Sequence, residues 1–130
     1  MSLQITAIYS AILAVMMIGL STWVTLLRAK LKISILHGDS VALAERIRMH
    51  GNFIETVPMA LIVMGLAEAG GASSSWLNAI GVLLVAGRIL HPLGIDSEKP
   101  ANPLRIVGGS LTTLAMLIGV FLIAASAIAR

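Results

Sequence analysis

The first 27 residues contain no charged side chain, and Ile5 to Leu27 alone is an uncharged stretch of 23 residues. At a 1.5 Å rise per residue a helix of that length reaches about 35 Å, enough to cross the hydrocarbon core of a bilayer. A second such stretch, Ile106 to Ala129, runs for 24 residues near the other end. These two segments leave few choices of fold, because lipid tolerates only backbones that satisfy their own hydrogen bonds. Both are expected to be transmembrane helices. The first has no positive residue before it and is too long for a signal-peptide core, so it is expected to be retained.

Composition agrees: 58% of the 130 residues are hydrophobic and 12% charged, about half the charged fraction of soluble domains, with a mean hydropathy of +0.97. An ordinary soluble enzyme and a disordered tail are both excluded. There is no cysteine, hence no disulfide, thiolate metal site or cysteine nucleophile, and no metal site is expected. The length allows one domain, residues 1–130.

Between the two long stretches lie shorter apolar runs, Thr56 to Ala67 and Ala69 to Gly87, separated by the turn-forming segment Gly70-Gly71-Ala72-Ser73-Ser74-Ser75. Neither reaches across a membrane comfortably without neighbouring polar residues. Extending the first backward takes in Glu55, Asn52 and Arg48. Extending the second forward takes in Arg88 and His91. The expected spans are roughly 5–28, 45–68, 73–92 and 104–129, an all-α integral membrane antiparallel four-helix bundle. Gly38-Asp39-Ser40 offers an N-cap for the second helix, Pro58 is expected to kink it, and Gly65, Gly81 and Gly119 read as close-packing contacts.

Eight of the nine basic residues fall on one side of this topology, with Arg130 alone opposite. The positive-inside rule makes that side cytoplasmic and puts both termini outside. The net charge of +3 is therefore a topology signal rather than a sign of nucleic-acid binding.

The same topology gathers Arg48, Asn52, Glu55, Arg88, His91 and Arg105 into one leaflet. At 100° per residue, Arg48, Asn52 and Glu55 form a narrow stripe, with Glu45 beside it. A carboxylate as deep as Glu55 requires a cationic partner, Arg48 or Arg88. Arg46 and His50 occupy a second polar face, which suggests contact with another subunit. Arg105 opens the fourth helix, where backbone amides and the helix dipole favour an anion. Arg28, Lys30, Lys32 and Arg46 read as side chains snorkelling to headgroups, and His37 and Lys99 as solvated loop residues. The stripe with Arg88 and His91 is either a buried structural ion network or an anion pocket. Such a pocket suits a small flexible anion with several carboxylates and an amine for Glu55. A thiol in it would be held as thiolate by an adjacent arginine.

Glu45-Arg46-Ile47-Arg48-Met49-His50-Gly51-Asn52-Phe53-Ile54-Glu55-Thr56-Val57-Pro58, followed by Gly87-Arg88-Ile89-Leu90-His91, resembles the MAPEG family, the membrane-associated proteins of eicosanoid and glutathione metabolism, and its bacterial branch most closely. The resemblance implies a homotrimer in the bacterial inner membrane, with glutathione bound at subunit interfaces open to the cytoplasm. Arg48, Asn52 and Glu55 match the family's glutathione-binding residues, Glu55 meeting the peptide's amino group. Arg28 resembles the arginine that reaches a glutathione carboxylate from a neighbouring subunit, and His50 stands where it can contact across the interface. Arg88 and His91 match the helix-three motif. Arg105 is similar to the arginine that stabilises the glutathione thiolate, and so is the expected catalytic residue.

The departures narrow the function. Tyr9 is the sole tyrosine, and Thr56 and Ile95 stand where some relatives carry tyrosines. Ile106 stands where one prostaglandin-forming relative has serine. Hydroxyl-assisted chemistry and eicosanoid synthesis are therefore not supported. The expected function is a detoxifying glutathione transferase or peroxidase acting on hydrophobic electrophiles dissolved in membrane lipid. A non-enzymatic lipid- or glutathione-binding protein of the same fold and a small four-helix transporter are the competing readings.

Overall fold

Capping chemistry, rather than the limits of the apolar runs, sets where the helices begin and end. The computed structural model describes residues 3–128; Arg130 lies outside them. Helix α1 spans Gln4–Leu31, α2 Val41–Ala69, α3 Ser74–Leu93 and α4 Pro103–Ile128. Each is long and apolar enough to cross a membrane.

Helix α1 continues through Arg28 and Lys30 and stops where Lys32 turns left-handed at φ 58°. Helix α2 starts four residues before the expected span, because Ser40 Oγ accepts the Leu43 N–H at 3.2 Å and so satisfies a first-turn donor. Helix α4 starts at Pro103, which gives up no hydrogen bond there, while Asn102 Oδ1 accepts the Leu104 N–H at 3.0 Å. Pro58 sits inside α2, which runs through it unbroken.

The short connections make neighbouring helices antiparallel. Helix α1 packs on α2 and α3, α4 packs on the same two, and α2 also meets α3. Among the described residues α1 and α4 do not touch, so they occupy opposite corners of the bundle. Leu13, Phe53, Met64, Leu77, Ile80 and Leu84 are buried at its centre. Outward-facing residues such as Val15, Ile18, Leu117 and Phe121 are exposed. In water that surface would drive aggregation; in lipid it is at home.

Small residues set how closely α3 and α4 approach. A methyl group at Gly108 would lie 2.5 Å from the His91 amide nitrogen and 2.8 Å from the Gly87 carbonyl oxygen. One at Gly94 would collide with the Arg105 backbone. Gly81 and Gly119 are close-packing positions as expected: the first lies under the Tyr9 ring, and a methyl group at the second would be 2.5 Å from Val63. Gly65 differs, since a methyl group there would make an ordinary 3.7 Å contact with Thr6.

At the end of the bundle away from the basic cluster, Glu68 caps α1 from another helix. Its carboxylate oxygens accept the Ile5 and Thr6 N–H groups at 3.0 and 2.8 Å. Leu3, at the N-cap position, supplies no side-chain acceptor, so these first-turn donors would otherwise lie bare. Tyr9 Oη donates to Asn78 Oδ1 at 3.0 Å, tying α1 to α3.

Gly108→Ala should destabilise the detergent-solubilised protein by about 1–3 kcal/mol, because the atoms it meets are backbone and cannot give way. Gly109→Ala, whose methyl group would lie 3.8 Å from His91, should leave the thermal transition near that of the wild type. Equal transitions for the two variants would contradict the close α3–α4 contact.

Candidate functional site

Arg48, Asn52, Glu55, Arg88, His91 and Arg105 all lie toward the basic end of the bundle, Arg88 buried, Arg48 and Glu55 exposed and the other three half-buried. Arg48 Nη1 lies 3.3 Å from Glu55 Oε1, so Arg48 is the partner the carboxylate requires. Asn52 completes the stripe, accepting from Arg48 Nη2 at 3.5 Å and donating to the Arg48 carbonyl at 3.0 Å. This pair is open, with side-chain exposures of 57% and 55%.

Arg88, the other candidate partner of Glu55, serves a different purpose. It is only 3% exposed and reaches from α3 to α2, where Nη1 donates to Thr56 Oγ1 at 3.0 Å and to the Asn52 carbonyl at 3.4 Å. The Thr56 hydroxyl is thus the acceptor that receives this guanidinium. The Arg88 Nε is buried without a hydrogen-bond partner among the described residues.

Arg105 is half-buried at the start of α4 and borders two cavities. One, of about 540 Å³, is polar in its lining residues, which include His37, Asp39, Glu45, Arg48, Ser97 and Arg105, although most of its wall area is apolar. The other, of about 730 Å³, runs along α4 from His91 and Arg105 past Ser110 and Thr113 to Leu114 and Leu117. Arg105 is thus a wall common to a cavity lined by several ionisable side chains and one whose other lining residues, His91 apart, are uncharged.

The remaining expected residues are placed differently. Arg28 Nη1 donates to the Leu36 carbonyl at 2.8 Å within its own chain. Arg46 has a partner within its own chain: it donates to the Trp23 carbonyl at 3.0 Å and stacks over the Trp23 ring at 4.2 Å. That stacking combines a hydrogen bond with cation–π attraction. His50 is half-buried on α2 and joins none of these contacts. His37 is exposed, as a solvated loop residue should be, but lines the polar cavity.

The sequence model of the MAPEG family matches residues 6–125. The chain belongs to the MAPEG family. Inner membrane protein YecN of Escherichia coli K12 is 31% identical over 91 residues, covering 70% of each chain. The YecN of Escherichia coli O6:H1 strain CFT073 matches to the same extent. The protein is accordingly a MAPEG-family membrane protein with four apolar helices.

Within this MAPEG chain one further residue organises the polar cavity. Glu45 Oε1 accepts the Ser97 N–H at 2.8 Å, fastening the α3–α4 connection to α2 beside Arg48 and Arg105. Its angular position next to the Arg48 stripe was a visible signal; its partner, 52 residues away, was not. Glu45→Ala should speed amide hydrogen exchange across Ile95–Glu98 about tenfold, for the loss of a charge-assisted bond of about 1.5 kcal/mol. Glu45→Gln keeps an acceptor oxygen without the charge and should fall between the wild type and the alanine variant. Unchanged exchange in the alanine variant would show that this bond does not hold the loop.

Proposed function

We propose that this protein is an integral-membrane glutathione transferase, with accompanying peroxidase activity, acting on hydrophobic electrophiles that arrive through the bilayer. The observation that carries the reading is the position of Arg105 between a cavity lined by ionisable side chains and one lined mainly by uncharged ones. A polar thiol peptide suits the cavity with Arg48 and Glu45, and an apolar electrophile suits the one floored by Leu114 and Leu117. Their reacting atoms would meet at a guanidinium.

The exposed Arg48–Glu55 pair offers one cation and one anion to a ligand that carries carboxylates and an amine. Arg48, Asn52, Glu55 and the His91 side of α3 would bind and orient glutathione, while Arg105 would hold its sulfur as thiolate by stabilising the negative charge. In conjugation the sulfur electron pair forms a bond to the electrophilic carbon, and the leaving group departs with its own pair. In the peroxidase reaction two glutathione thiols supply the two electrons that reduce a peroxide and end as a disulfide.

We further propose a homotrimer, in which a neighbouring copy brings Arg28 and His50 toward the site and covers the polar stripe that would otherwise face lipid at a cost of a few kcal/mol. The basic end would face the cytoplasm, consistent with the distribution of Lys and Arg and with a relative that is an inner membrane protein.

Purified protein in detergent, given glutathione and a chlorodinitrobenzene-type electrophile, should show thiolate absorbance at neutral pH and turnover. Arg105→Ala should lower kcat by about 10²–10³ with little change in KM, and its rate should climb with pH toward the pKa of a free thiol, near 8.5. Arg48→Ala or Glu55→Ala should instead raise KM for glutathione about tenfold or more. Absence of glutathione binding at millimolar concentration, or equal loss of kcat and KM effects across all three variants, would overturn the assignment.

A further inference from the structure

The connection between α1 and α2 presents apolar side chains where a water-facing loop would hide them. Ile35 is 76% exposed and Leu36 72% exposed. Leu36 also has φ 55°, a left-handed conformation that a branched side chain adopts only when its surroundings impose it. The surroundings here are Arg28, whose Nη1 grips the Leu36 carbonyl at 2.8 Å from the last turn of α1. A guanidinium from the end of a membrane helix thereby holds two aliphatic residues outward.

Charge surrounds them in a consistent sense. Lys30 and Lys32 are exposed on the approach to this loop, and neither forms an ion pair among the described residues, where the one pair is Arg48–Glu55. Asp39, the acidic residue of the same connection, is turned to the polar cavity instead. Exposed aliphatic residues beside unpaired lysines, at the end of an apolar helix, have the chemistry of a segment that lies at a membrane interface.

We propose that the α1–α2 connection is an interfacial anchor: Ile35 and Leu36 enter the boundary between headgroups and acyl chains, and Lys30 and Lys32 hold anionic phospholipid headgroups. The occupant of this surface is the lipid leaflet at the basic end, and the anchor does not depend on the thiol chemistry proposed above. It also steadies one wall of the polar cavity, because His37 and Asp39 follow directly in the chain.

The absence of cysteine allows a clean test. A nitroxide on Ile35→Cys in the full-length protein, reconstituted in vesicles of phosphatidylcholine with phosphatidylglycerol, should collide with oxygen and be shielded from a water-soluble nickel complex. A label on Ser73→Cys, in the connection at the opposite end of the bundle, should remain accessible to nickel. In pure phosphatidylcholine, or in the Lys30→Gln/Lys32→Gln variant, the Ile35→Cys label should shift toward nickel accessibility, the anionic-lipid preference falling about fivefold per lysine removed. Nickel accessibility in every lipid mixture, or insertion indifferent to lipid charge and to the lysines, overturns the proposal. Shielding from oxygen and nickel together also overturns it, since a second copy of the chain would then be covering the loop.

Discussion

A guanidinium inside a helix bundle in lipid has no water to fall back on, so the protein itself must supply its acceptors. Arg88 shows how that requirement shapes the rest. Its acceptors are a threonine hydroxyl and a backbone carbonyl on α2, and the Asn52 carbonyl also accepts from Thr56 Oγ1 at 2.8 Å. The charge is therefore stabilised by neutral dipoles. Helix α3 cannot rotate about its axis without stranding this side chain, and α3 is the helix against which α4 is pressed through Gly87 and Gly108. The position of Arg105 follows from that chain of contacts. A buried arginine on one helix thus fixes a half-buried arginine on another.

The two ends of the bundle meet the same requirement in opposite ways. At one end Glu68 is neutralised by backbone N–H groups of α1, a carboxylate at a helix N-terminus where the dipole is favourable. The polar groups there are consumed by structure. At the basic end Arg48 and Arg105 line a cavity and Glu55 is exposed beside Arg48, and one side-chain hydrogen bond fastens each loop to a helix, Glu45 to Ser97 and Arg28 to Leu36. Among the described residues, the cavities lined by charged side chains lie at the basic end, whereas the cavity beside Trp76 and Phe121 toward the other end is apolar.

Much of this was legible in the amino-acid order, and the boundary of legibility is physical. Long uncharged runs announce α1 and α4 because lipid allows no other structure, and the Arg48-Asn52-Glu55 stripe follows from helical periodicity. Ser40 caps α2 because a cap is a local, three-residue event. Contacts that join distant segments were not legible. Glu68 bonds to residues more than sixty positions away, and its place between two apolar runs makes it look like an interruption rather than a cap. Arg46 carries the same charge as its neighbours, yet Trp23 on α1 decides its role. Gly65 and Gly119 are equivalent as sequence; what faces them separates the one with room for a methyl group from the one without.

The contrast between Arg88 and Arg48 bears on how a ligand would enter. Breaking Arg88 away from Thr56 and Asn52 would strand a buried charge, at a cost of several kcal/mol. The Arg48–Glu55 pair is more than half exposed, and exposed pairs of this kind are worth about 0–1 kcal/mol. Separating it to receive a carboxylate on Arg48 and an ammonium on Glu55 would consume little of the binding energy. An ion pair that weak adds little to the fold, and its value next to the cavity that Arg48 lines is that it satisfies two charges until a ligand of complementary charge replaces each partner for the other. The strong arginine positions the helices and the weak pair remains exchangeable, so a site can open here without loosening the bundle that carries it.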